Sequence, residues 1–120
     1  MSRRAALGVK DPFFRTLLDF IRECISARRV RWTYHVTMRL QQRFLRREML
    51  LRGVASLELI ESYPHDKYLP SYLLRGEREA QIFHAHVAAD LDGRNVRVVT
   101  MYVPRPDEWD SEFRSRRSRE

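Results

Sequence analysis

The chain has 120 residues, of which 23 are Lys or Arg and 16 are Asp or Glu, for a formal charge of +7. Apolar residues at 43% and charged residues at 32% fit one globular domain with a real core rather than a disordered chain. No apolar run approaches the roughly 20 residues that cross a bilayer. No apolar stretch of signal-peptide length precedes Lys10, so a cytoplasmic protein is expected. A single Cys24 excludes an intrachain disulfide and a cysteine-built zinc site.

Residues 1–10 read as a flexible arm. Asp11-Pro12 starts a helix, with Asp as the cap and Pro in the first turn. Phe14, Leu17, Leu18, Ile21, Cys24 and Ile25 then recur at helical spacing, and the helix ends near Arg28-Arg29. This stripe can pack on the domain or form a dimer seam. Val30 to Tyr34 is a short extended piece or a turn. Thr33 caps a second helix over about Tyr34–Phe44, apolar at Val36, Met38, Leu40 and Phe44, and polar at His35, Arg39, Arg43 and Arg46. A third helix covers Arg47–Arg52, stopped by Gly53.

The period then changes to that of strands. Leu57–Tyr63 alternates, Pro64–Lys67 turns, and Tyr68–Leu74 is a second strand weakened by Pro70. Gly76–Glu79 is read as a turn before a third strand, Gln81–Ala89. Asp92-Gly93 is the clearest hairpin signal, and Asn95–Val103 is a fourth strand. Glu108–Phe113 reads as a short helical turn, and residues 115–120 as a charged tail with no reason to fold. Helices followed by a meander argue for an α+β domain: N-terminal helices on one face of a four-stranded, mainly antiparallel sheet.

Charge is concentrated in the first half, where residues 1–60 carry 13 basic and 5 acidic residues. Such a basic half suits a polyanion or an acidic protein, and equally suits a solvated face. His35, Arg39 and Arg43 lie one helical turn apart on one face, where like charges repel unless an anion lies between them. The structural alternative is that Arg39 pairs with Glu58 or Glu61 to fix the helix to the sheet. His84 and His86 share a strand face. The pair is a weak metal signal and a better general acid or base. That role falls to His84, with His86 packed in the sheet. Tyr102 near a strand end can orient a phosphate, Arg46, Arg47 and Lys67 can widen a basic cleft, and Trp109 with Phe113 can seal the core edge. There is no glycine-rich phosphate loop and no nucleophile elbow, so no cofactor and no bound metal are expected.

The ordered set His35-x-x-x-Arg39-x-x-x-Arg43, Glu61-Ser-Tyr63-Pro64, Ser71-Tyr-Leu-Leu-Arg-Gly76, His84, Val98-Val-Thr-Met-Tyr102-Val-Pro104 and Trp109 resembles the bacterial and archaeal domain of unknown function numbered 4258. The resemblance covers about residues 30–114, with the helical extension at 11–29 outside it. It implies a small α+β fold related to RelE- and MqsR-type ribonuclease toxins, often paired with an antitoxin such as a zinc-ribbon protein of the MqsA type. The family commonly has a small residue or Gly where this chain has Phe44. The implied activity is metal-independent RNA cleavage by 2′-OH attack. His35, Arg39, His84 and Tyr102 would act at the scissile phosphate, and Arg43, Arg46, Arg47 and Lys67 would bind RNA. A non-catalytic RNA- or protein-binding module is the competing expectation.

Overall fold

The computed structural model describes residues 12–118. The expected arm and the Asp11 cap lie outside them. Helix α1 (Pro12–Ser26) buries Leu17, Ile21, Cys24 and Ile25, the stripe its spacing announces. These side chains join the same core as the sheet, so α1 is part of the domain and no appendage. Burial also raises the Cys24 thiol above its ordinary value, in keeping with a small hydrophobe.

After α1 come β1 (Val30–Trp32), α2 (Tyr34–Gln42), α3 (Glu48–Arg52) and a single 3₁₀ turn (Val54–Ser56). The strands β2 (Glu58–Tyr63), β3 (Ser71–Arg78), β4 (Gln81–Asp90) and β5 (Asn95–Tyr102) follow. Thr33 caps α2 as its sequence suggests, its hydroxyl accepting from the Val36 amide at 3.2 Å. Val36 and Leu40 bury the opposite side of that helix.

The sheet has five strands, in the order β1-β5-β4-β3-β2, and is mixed. This corrects the four-stranded expectation. Val30–Trp32 is neither turn nor loose extension but an edge strand parallel to Val96–Val98 of β5. Three residues are too few to show a strand period, and their partner lies far along the chain. The remaining pairings are antiparallel.

The turn between β3 and β4 is also displaced from its expected place. Gly76 sits inside β3, and Arg78 pairs with Gln81 across the two residues Glu79 and Ala80. Both turn residues have positive φ, 51° and 67°, the backbone of a type I′ hairpin. Gly76 is required by packing. A Cβ there would fall 2.4 Å from the Phe83 ring, which is fully buried in the core.

Two bulges sort the sheet into faces. The register slips between Leu59 and Glu61 in β2, and opposite His86/Val87 in β5, where Val99 is the extra residue. Leu57, Leu74, Phe83, Ala85, Val87, Val98 and Met101 therefore face the helices and form the core. Glu58, Glu61, Tyr63, Ser71, Arg75, His84, His86, Thr100 and Tyr102 share the other face. Residues 115–118 are not a loose tail. The segment after β5 folds back over that second face through a Trp109–Arg116 bridge, and Glu108–Phe113 makes turns rather than a helix.

Gly76→Ala should lower stability by about 1–3 kcal/mol, because Phe83 has no free volume to move into. Urea denaturation of the variant beside the parent measures this.

Candidate functional site

His84 and Tyr102 are neighbours across β4 and β5, with Tyr102 half-buried. His84 is 0% exposed. Its Nε2–H donates to the Phe113 carbonyl at 2.8 Å, and its Nδ1 faces the Tyr102 hydroxyl at 3.3 Å. Trp109 packs edge-on against the imidazole, with ring centroids 4.4 Å apart. Burial holds His84 below the ordinary imidazole value, although the Phe113 carbonyl favours the protonated ring. Burial likewise pushes the Tyr102 hydroxyl up to about 12. His84 thus ties the C-terminal segment to the sheet. The ring is enclosed and engaged at both nitrogens, so in this structure it presents no free nitrogen to a phosphate.

His86 is also engaged. Its Nε2–H donates to Ser71 Oγ at 2.8 Å, while the Ser71 hydroxyl donates to Asp66. A nucleophilic triad needs His between Ser and the carboxylate. Here Ser71 stands in the middle, so the chain of bonds anchors the β2–β3 loop instead. Burial again lowers the imidazole pKa.

Glu61 is buried on the same sheet face, with its side chain 4% exposed. Arg116 holds it through two bonds, Nε to Oε2 at 2.8 Å and Nη2 to Oε1 at 3.2 Å. Tyr63 donates its hydroxyl to Glu61 as well. The Arg116 guanidinium also lies 4.7 Å over the Trp109 ring. Glu58 receives Arg114 and Arg75. Both strand carboxylates offered as partners for Arg39 are therefore taken by other arginines.

Arg39 and His35 remain on the exposed side of α2, one turn apart, with no side-chain partner among the described residues. Tyr34, 81% exposed, stands beside them. Arg43 leaves that face. Its Nη1 bonds the Thr100 hydroxyl at 2.9 Å and the Met101 carbonyl at 2.8 Å, capping the part of β5 that β1 does not reach. Arg47 bonds the Thr37 hydroxyl at 3.0 Å and covers the Trp32 ring, so it braces the helices. Arg46 is exposed with no such partner. Lys67 lies over Tyr68 in the β2–β3 loop, at the sheet edge remote from α2. The structure thus brings His84 and Tyr102 together, sets Arg43 at the neighbouring Thr100, and leaves His35 and Arg39 apart from both. Nothing in the sequence flags Arg116 or Glu61 as a pair, because 55 positions separate them.

Among the described residues no three His, Cys, Asp or Glu side chains are grouped to hold a metal ion. No described helix is long and apolar enough to cross a membrane.

Arg116→Ala should cost about 2 kcal/mol. This is less than the 3–5 kcal/mol for a fully buried pair, because nearly half of the Arg116 side chain faces solvent. Arg114→Ala should cost under about 1 kcal/mol, since Glu58 is half in water and keeps Arg75. Thermal melts of the two variants give the comparison. Stability should also fall with acid. Both buried histidines have folded pKa values below the ordinary 6.5, so below that pH the unfolded chain binds more protons than the native one. Urea midpoints should be level above about pH 7.5 and decline from about pH 6.5 downward. His86→Gln should flatten part of that decline.

No curated protein and no solved structure matches the chain. A family model described as Domain of unknown function (DUF4258) matches residues 32–103. That stretch runs from the end of β1 through β5, leaving α1 and the C-terminal segment outside it. The likeness read in the sequence therefore holds over a shorter stretch than 30–114, and the chain belongs to the DUF4258 family.

Proposed function

We propose that the chain is an RNA-binding, metal-independent endoribonuclease of the toxin type, with a RelE/MqsR-like fold and a cognate antitoxin as partner. The observation that carries this reading is the exposed face of α2. An imidazole and a guanidinium stand one turn apart there, and neither is used to hold the fold. RNA cleavage of this class needs a base and a cation at one phosphate. His35 accepts the 2′-hydroxyl proton as that oxygen attacks the adjacent phosphorus. Arg39 presents its planar fork to the non-bridging oxygens as the phosphorane forms. The 5′-oxygen departs with a proton from solvent, leaving a 2′,3′-cyclic phosphate. The positive charge of the first half supplies the attraction for the polyanion.

A second reading, a non-catalytic module that holds RNA or an acidic antitoxin segment, is favoured by the burial of His84, which removes one acid–base group from reach.

The test is purified protein with a defined single-stranded RNA in EDTA. Cleavage leaving a cyclic phosphate is expected, with a loss of at least about 100-fold in His35→Ala and in Arg39→Ala. Both variants should keep their stability to within about 0.5 kcal/mol, since neither side chain has a partner among the described residues. Salt-sensitive binding without cleavage would establish the second reading. Absence of both cleavage and RNA binding would reject the nuclease and the RNA-holding module alike.

A further inference from the structure

Helix α2 ends in a reciprocal pair of backbone bonds. The Leu45 amide donates to the Leu40 carbonyl at 2.9 Å, and the Phe44 amide donates to the Gln41 carbonyl at 3.1 Å. This ending requires a left-handed residue between helix and loop, a place Gly fills best. Phe44 occupies it, with φ 57°. A left-handed backbone is unfavourable for a bulky side chain. The ring is also 94% exposed and makes no ring contact among the described residues. Helix α1 ends the same way on Arg28, with φ 63°. There the side chain contributes, since Arg28 Nη1 bonds the Ile25 carbonyl at 3.1 Å. Phe44 offers the fold no such return for its strain. A bulky, exposed side chain kept where the helix end asks for Gly, and which the fold does not use, points to a binding role.

The surroundings indicate what binds. Phe44 opens onto a groove of about 620 Å³ that reaches the β3–β4 hairpin. Arg46 and Arg52 line it, both exposed and without side-chain partners among the described residues. Arg78 lines it too, but is engaged by the Glu48 carbonyl and the Glu79 carboxylate. The groove is open rather than enclosed, so it suits a flat ring lying on a flat ring better than an aliphatic anchor. Glu48 and Glu79 line the groove as well, Glu79 paired with Arg78, and an exposed aromatic face on the same groove as the Arg46 and Arg52 guanidinium groups is the chemistry that holds single-stranded nucleic acid.

We propose that Phe44 is a stacking platform for one base of single-stranded RNA, with Arg46 and Arg52 taking the flanking phosphates. This rests on the RNA reading above and extends it from the His35–Arg39 face around the end of α2.

The experiment measures affinity of the full chain for a fluorescein-labelled single-stranded RNA at fixed salt, with melting temperature read alongside. Phe44→Gly should weaken binding about 10-fold. It should raise the melting temperature by a few degrees, since Gly relieves the strain and no core contact is lost. Phe44→Trp should bind RNA at least as tightly as the parent, and Phe44→Ala should match Phe44→Gly in affinity. Parental affinity in both the Gly and Ala variants would overturn the platform while leaving the RNA reading intact. Absence of RNA binding by the parent chain, even at low salt, would overturn both together.

Discussion

A carboxylate buried on a sheet face must find a cation, and in this molecule Glu61 finds Arg116. The bulge in β2 aims Glu61 at that face, so the demand is created by the strand itself. Meeting it draws the C-terminal segment back across the sheet. Trp109 then lies between the Arg116 guanidinium and the His84 ring, and Phe113 delivers its carbonyl to His84. Each contact closes the face further to water. The lowered pKa of His84 and the raised pKa of Tyr102 both follow from burial.

The other consequence is a division of labour between the arginines. Arg75, Arg114 and Arg116 serve the sheet carboxylates. Arg43 ties the end of α2 to β5, and Arg47, just before α3, bonds Thr37 of α2 and covers Trp32 of β1. Arg39, Arg46 and Arg52 have no partner among the described residues and stand exposed, as do His35 and Phe44. Because Val36 and Leu40 anchor the inner side of α2, this outer group stands on a fixed support. Charge counted from composition does not separate bracing cations from free ones, although only the free ones can meet a ligand.

Much of the architecture was legible because it is local. The apolar stripe of α1, the Thr33 cap, the shared face of His84 and His86 and the strand alternation all depend on neighbours a few positions away. What escaped is what depends on distant partners. Val30–Trp32 becomes a strand only because β5 lies beside it. Gly76 reads as a turn residue but is fixed by the Phe83 ring. Residues 115–118 read as a solvated tail until Glu61 is placed. At the candidate site, the exposed His35–Arg39 pair was visible from helical spacing alone. The enclosure of His84 was not, since the groups that enclose it come from 25 to 29 positions further along the chain.

The position of β5 also governs how the molecule comes into being. It is the last strand in the chain, yet it lies between β1 and β4, and α1 and α2 both rest on it. The helices and β1 therefore have no complete surface to settle on until about residue 102 has been synthesised, and the register of β1 spans 66 positions. A chain interrupted before β5 keeps the apolar side of α1 and the open edge of β4 in water. Assembly is consequently late and dominated by long-range closure, and a ribosome carrying most of this sequence holds an unfinished sheet rather than a working basic surface.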